Sequence, residues 1–206
     1  YRFEKAALTD DYILTSSSQS FVEVYDIIHP HDQPAAPRGV RTSPFYDREV
    51  DLGAQFWVGG LWERPAWFEA NGPLLDELVA GGLQVPQRDD WSARHWSPIS
   101  VAEASWTRSH VAMYDMTPLT RYEVSGPGAV EFLQQLTTND VDKSVGSITY
   151  TLMLDDAGGI RSDLTVARLG VELFQVGANG PIDLDWLSRH LPADRSVTLR
   201  DITGAT

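Results

Sequence analysis

The stretch Tyr150-Thr151-Leu152-Met153-Leu154-Asp155-Asp156-Ala157-Gly158-Gly159-Ile160-Arg161-Ser162-Asp163-Leu164-Thr165-Val166-Ala167-Arg168-Leu169 decides the fold. Two alternating runs, Tyr150 to Leu154 and Ile160 to Leu169, flank a short segment rich in acid and glycine, which predicts an antiparallel hairpin. Working outward, Thr120 to Val124 alternates as a strand. Glu172 to Val176 predicts another, ending at Gly177, and Val197 to Ile202 a last one. Ser125-Gly126-Pro127-Gly128 opens a helix to about Thr137, with Pro127 near its first position and Val130, Phe132, Leu133 and Leu136 as its buried stripe. Pro181 to Leu191 reads as a second helix. The order strand, helix, strand, strand, strand, helix, strand implies an α+β fold, a mostly antiparallel sheet with packed helices.

Upstream, Ser100 to Met113 carries helical spacing, with Ser100 and Glu103 placed as a capping box. Arg41 to Trp96 is dense in Trp, Phe, Tyr, Pro and Gly, a composition of packed loops and short strands; a stacking platform for a flat ring is the functional alternative. Residues 1–40 are loosely patterned: a Ser16 to Ser20 tract, then Phe21 to Ile28, a short apolar element of uncertain type. Pro30, Pro34 and Pro37 then mark a semi-rigid connector. The expected organisation is a linker segment over 1–40 and a domain over 41–206.

Composition narrows the function. Of 206 residues, 42% are hydrophobic and 22% charged, ordinary globular values. A net charge of −13 disfavours binding along a nucleic-acid backbone, which needs clustered cations. With no cysteine, thiol chemistry and Cys-ligated metals are excluded within this chain. No apolar run approaches the ~18 residues of a membrane span, and no signal peptide is visible, so a cytoplasmic protein is expected. The chain starts without Met and stops directly after a strand-like stretch, and so reads as a piece of something longer.

Chemistry concentrates on the hairpin. Side chains alternate along a strand, so Ile160, Leu164 and Val166 share one face while Arg161, Asp163 and Thr165 share the other. Asp163 and Thr165 then sit about 7 Å apart, able to clamp a polar heterocycle or move a proton; a solvated outer face carries the same pattern. Tyr150 joins Asp163's face if the hairpin loop has two or four residues and leaves it if the loop has three or five. Gly177 permits close approach of a ligand or simply makes a turn. His29-Pro30-His31-Asp32 hints at a metal but is the composition of a surface turn, so no metal site is expected. An ion pair is expected to hold Glu63-Arg64-Pro65, and no GxGxxG dinucleotide fingerprint is present.

Taken in order, Leu52-Gly53-Ala54-Gln55-Phe56, Trp62-Glu63-Arg64-Pro65, Met113-Tyr114-Asp115-Met116, Val124-Ser125-Gly126-Pro127-Gly128-Ala129, Leu136-Thr137-Thr138, Tyr150 to Leu154 and Gly158-Gly159-Ile160 leading to Asp163-Leu164-Thr165-Val166 form a recognisable set. The set resembles the N-terminal part of the folate-binding domain shared by the glycine-cleavage T-protein and by dimethylglycine and sarcosine oxidoreductases. Phe21 to Asp26, His29-Pro30, Arg41 to Tyr46 and Glu63 to Phe68 are similar to the oxidoreductase branch. The resemblance implies a parent protein in which a flavin domain (FAD), upstream of this chain, oxidises an N-methyl amine. The folate domain then captures the one-carbon unit on tetrahydrofolate. It implies that Asp163 is the essential carboxylate, that Tyr150, Thr165 and Gly177 contact folate, and that the rest of the folate site lies beyond Thr206. An aminomethyltransferase and a non-catalytic folate-domain scaffold are the alternatives.

Overall fold

The computed structural model describes residues 9–204. The chain divides into two compact units, the first extending to Asp115 and the second starting at Met116.

The second unit is a five-stranded sheet in the order β4-β5-β6-β3-β7, antiparallel at every pairing: β3 Thr120–Ser125, β4 Ile148–Leu154, β5 Ile160–Gly170, β6 Leu173–Ala178 and β7 Thr198–Asp201. The α6 helix, Ala129–Leu136, follows β3, and α7, Pro181–Arg189, follows β6. Strand alternation sends Tyr122, Val124, Met153, Leu164, Val166, Phe174 and Val176 to one face. There they close a core with Phe132 and Leu133 of α6 and Leu187 of α7. A buried side chain of this size stabilises by about 2 kcal/mol, so this layer holds the sheet flat against its helices. Gly126 and Gly128 explain the turn before α6: a Cβ on either would meet Ser196, at 2.3 Å and 2.5 Å. Pro127 accordingly sits before the cap residue Gly128 rather than in the first helical turn, because Gly126-Pro127-Gly128 is used for that close approach. The α+β expectation holds, and Gly177 lies inside β6 instead of ending it.

The first unit is richer in helix than its composition suggests. The α1 helix, Asp10–Glu23, absorbs the serine tract and is capped by the Thr9 hydroxyl, which accepts from the Tyr12 N–H. Then come α2 Tyr46–Asp51, the β1 Ala54–Gly59 and β2 Trp62–Phe68 hairpin, a 3-10 turn at Glu69–Asn71, α3 Gly72–Ala80, α4 Asp90–Ala93 and α5 Ile99–Ser109. Gly60 and Leu61 close the hairpin, both at positive φ (59° and 68°), the twist-matched two-residue turn. The expected capping box does not form. The Ser100 hydroxyl donates to the Ser97 carbonyl, and Glu103 accepts instead from the Phe68 N–H (2.9 Å) and the Asn71 amide (2.7 Å). A tertiary demand outranks the local one: the end of β2 and the turn after it need that acceptor.

Candidate functional site

On the sheet face away from α6 and α7, three adjacent strands place Tyr150, Thr165 and Gly177 opposite one another. Tyr150 of β4 pairs with Thr165 of β5, and Thr165 with Gly177 of β6. Asp163 stands two residues along β5 from Thr165, on the same exposed face. The four predicted positions therefore come together.

The register that does this was not readable from loop length. Leu154 pairs with Ile160, leaving the five residues Asp155 to Gly159 as the loop, and by simple alternation that turns Tyr150 away from Asp163. A β-bulge between Met153 and Leu154 pairs Met153 with Ser162, so Arg161 is the extra residue and the phase is restored. Two expectations change with it. Ile160 is exposed instead of sharing the buried face of Leu164 and Val166. Arg161 leaves Asp163's face, and its guanidinium lies 4.0 Å from the centre of the Trp186 ring on α7.

Both oxygens of Asp163 carry a donor. The Tyr150 hydroxyl donates to Oδ2 at 3.1 Å, and the Asn179 amide donates to Oδ1 at 3.1 Å. The hydrogen bond to Asp163, reinforced by its negative charge, raises the Tyr150 phenol above its ordinary pKa. The Asn179 amide also donates to the Asp163 carbonyl and the Ser162 hydroxyl, both at 2.9 Å. Beneath it, the buried Asp183 carboxylate accepts from the Ser162 hydroxyl (3.0 Å) and the Asn179 N–H (2.9 Å). Asn179 and Asp183 were missed in the sequence. The signal lay in their position: a polar residue just past the end of β6, and an acid in the first turn of α7 able to reach back to that loop.

Gly177 has a specific reason to be glycine. A Cβ there would stand 2.5 Å from the Thr165 hydroxyl oxygen, so the bare backbone lets Thr165 lie across it. The result is a low floor beside the carboxylate and the phenol, made by the Thr165 hydroxyl lying over the Gly177 backbone. An exposed carboxylate held by two donors, next to a hydroxyl lying low over a glycine, suits a flat heterocycle bearing N–H groups.

The other candidates resolve differently. His29 packs on Trp91 with ring centres 4.3 Å apart, and His31 stacks on Trp57 at 4.9 Å. His95 Nε2 lies 3.3 Å from Asp32. Among the described residues no group of three or more His, Asp or Glu is placed to hold a metal ion. Glu63 is ion-paired as expected, but with Arg38 rather than its neighbour Arg64. Arg38 Nε donates to it at 2.9 Å, and the Gly39 N–H at 2.7 Å. The nearby aromatics are taken up by packing and cation contacts, such as Tyr46 on Phe56 and Arg88 over Trp96.

The fold has a solved counterpart. It matches the glycine cleavage system aminomethyltransferase T from Bartonella henselae with a TM-score of 0.58 and 22% identity, over 78% of this chain and 38% of that one. The chain belongs to the GCVT N-terminal domain family, whose model matches residues 45–206. Residues 1–43 match the FAD dependent oxidoreductase central domain. It is similar to the mitochondrial pyruvate dehydrogenase phosphatase regulatory subunit of Mus musculus, 33% identical over 187 residues, 87% of this chain and 20% of that protein. Similarity to the mitochondrial sarcosine dehydrogenase of Homo sapiens is 31% over 180 residues, 79% of this chain and 20% of that protein. With the 4-methylaminobutanoate oxidase (formaldehyde-forming) of Paenarthrobacter nicotinovorans it is 30% over 177 residues, 85% and 20%. The chain thus spans about a fifth of the length of these relatives. No helix among the described residues is long and apolar enough to cross a membrane.

Proposed function

We propose that residues 41–206 are the N-terminal part of a tetrahydrofolate-binding domain in a flavin-dependent N-methyl amine oxidoreductase, with residues 1–40 the segment linking it to the flavin domain. Its substrates are of the dimethylglycine or sarcosine type. The observation that carries this is the meeting of Tyr150, Asp163, Thr165 and Gly177 on one open face, with both Asp163 oxygens held by donors. Reduced folate, when bound, would supply two nitrogens that together take over the iminium carbon, one N–H proton leaving with the released demethylated amine and the other to a base. Asp163 accepts from a folate N–H, orients it and receives the proton that must leave as the new carbon–nitrogen bond forms. Tyr150 fixes the carboxylate from one side and Asn179 from the other, so its acceptor directions are set before the ligand arrives. Thr165 and the bare backbone of Gly177 support the ring. No residue of this chain is assigned to FAD, consistent with the absence of a dinucleotide fingerprint.

A non-catalytic binding module is the second reading, favoured by the 33% identity to a protein named as a regulatory subunit. A glycine-cleavage-type aminomethyltransferase is the third, favoured by the 34% identity over 142 residues to the aminomethyltransferase of Chlorobaculum tepidum. Calorimetric titration of the chain with folinic acid, beside Asp163→Ala, tests the folate site; saturable binding that the substitution weakens is expected. In the longer enzyme Asp163→Ala should abolish methylenetetrahydrofolate formation and leave amine oxidation intact. Loss of both activities together would make Asp163 structural. Aminomethyl transfer from a lipoyl carrier without amine oxidation would establish the third reading.

A further inference from the structure

The α1 helix half-buries polar residues and leaves its large apolar ones exposed. Tyr12, Ser16, Gln19, Ser20 and Glu23, spaced i, i+4, i+7, i+8 and i+11, occupy one helical face, and that polar face lines a cavity of about 310 Å³ with Pro34, Pro37, Val58 and Leu61. Its outward side carries Leu14 and Phe21 beside Asp10, Ser17 and Ser18, with Ile13 on the flank, and is continued past the helix end by Tyr25, Ile27 and Ile28, all exposed. Phe21 is 81% exposed and Tyr25 95%. A helix on a protein surface ordinarily buries such residues, and the exposed apolar run from Phe21 to Ile28 marks a surface made to be covered.

We propose that this face docks the flavin-carrying part of a longer polypeptide, on the N-terminal side of this chain; the proposal rests on the functional reading above. Three observations select that occupant. The α1 helix lies within residues 1–43, the segment matching the FAD dependent oxidoreductase central domain, whereas the sheet that carries the candidate site lies in the GCVT match. The chain spans about a fifth of its first relatives, and in a polypeptide of their length the partner would be covalently attached. Tethering lets a modest apolar patch suffice, because the partner is held at high effective concentration. The rim selects against the alternatives. Asp10, Asp11 and Asp26 stand on or beside the exposed side, and residues 9–28 contain no Lys or Arg. A two-fold contact between copies would set these acids against each other, and an anionic lipid surface would repel them. The matching surface is apolar with a basic rim.

The chain has no cysteine, so a single thiol reports on this face. Phe21→Cys and Tyr25→Cys are placed separately in the 206-residue chain and in the longer polypeptide, and alkylation of each site is followed by peptide mass spectrometry under native conditions. Labelling slowed about tenfold or more in the longer polypeptide is expected, because modification then requires opening of the interface. Deleting the part preceding this chain should restore fast labelling. Equal rates in the two proteins overturn the proposal. So does protection in the 206-residue chain itself accompanied by a dimer in sedimentation velocity, which would assign the face to a second copy. Flavin absorbance of the longer polypeptide is read separately: protection without bound flavin keeps the interface and removes the redox reading.

Discussion

Asp163 is useful because it is held and still reachable, and the two residues that hold it give separate handles. Asp163→Asn keeps the shape and removes the charge. It removes the negative charge and leaves at most a neutral acceptor, weakening the bond and the field that keep the Tyr150 phenol above its ordinary value near 10.0, so the Tyr150 titration should move down. The ring-carbon chemical shift of Tyr150 against pH measures this, and an unmoved midpoint would mean the contact is not populated in solution. Asp183 acts beneath the site. Asp183→Ala leaves the Ser162 hydroxyl and the Asn179 N–H without their acceptor. A loss of about 3 kcal/mol in urea unfolding is expected, together with weaker ligand binding, while Asp183→Asn retains an acceptor and should cost less. Asp163 and Thr165 were legible in the sequence because strand alternation alone puts them on one side. Asn179 and Asp183 were not, because a loop and a helix deliver them after the chain has turned back on the sheet.

Among elements, the hairpin shows what period and turn chemistry can and cannot say. Every strand and both helices of the second unit were legible, since their buried faces repeat at two or at three to four residues. The face that Tyr150 takes was not, because a bulge shifts the phase by one residue and leaves no mark in hydrophobicity. Arg161 is that extra residue, and its side chain is accommodated over Trp186. Deleting Arg161 should therefore leave Met153 opposite Ser162 and Tyr150 opposite Thr165, with folinic acid affinity changed by less than about threefold. The cost should be about 1 kcal/mol from the lost contact with Trp186. Collapse of binding would show that the bulge itself shapes the site. In the first unit, α3 is hard to read from sequence although Pro73 stands in its first turn and Leu74, Leu75, Leu78 and Val79 follow at helical spacing, because neighbouring aromatics suggest loops. The serine tract was obscured similarly: serine is a weak helix former, and Thr9 capping with Asp10 and Asp11 in the first turn outweighs it.

At the scale of the whole molecule, charge sets two behaviours. The first is acid sensitivity. Burial would push the Glu63 carboxyl up, but hydrogen bonds from Arg38 and the Gly39 N–H, with the Arg38 charge, outweigh it and hold the group below its ordinary 4.5. A depressed carboxyl stabilises the folded state above the unfolded value and loses that contribution as pH falls through the folded one. Six of the seven tryptophans lie before Asp115, so their fluorescence reports the first unit. Its urea midpoint should drop below pH 4.5 in the native protein and change less in Glu63→Gln. The second behaviour concerns the ligand. Folinic acid carries two carboxylates in its glutamate tail, and the chain bears a net charge of −13, so the long-range field opposes their encounter. Salt shortens the reach of that field to about 10 Å at 0.1 M. Raising ionic strength should therefore speed association and tighten binding by about twofold to threefold, with dissociation nearly unchanged. Stopped-flow fluorescence across a salt series reads both rates. Weakening with salt would instead mean that a local cation governs the encounter. Arg121 faces Gly177 across the sheet and is the group to substitute next in that event.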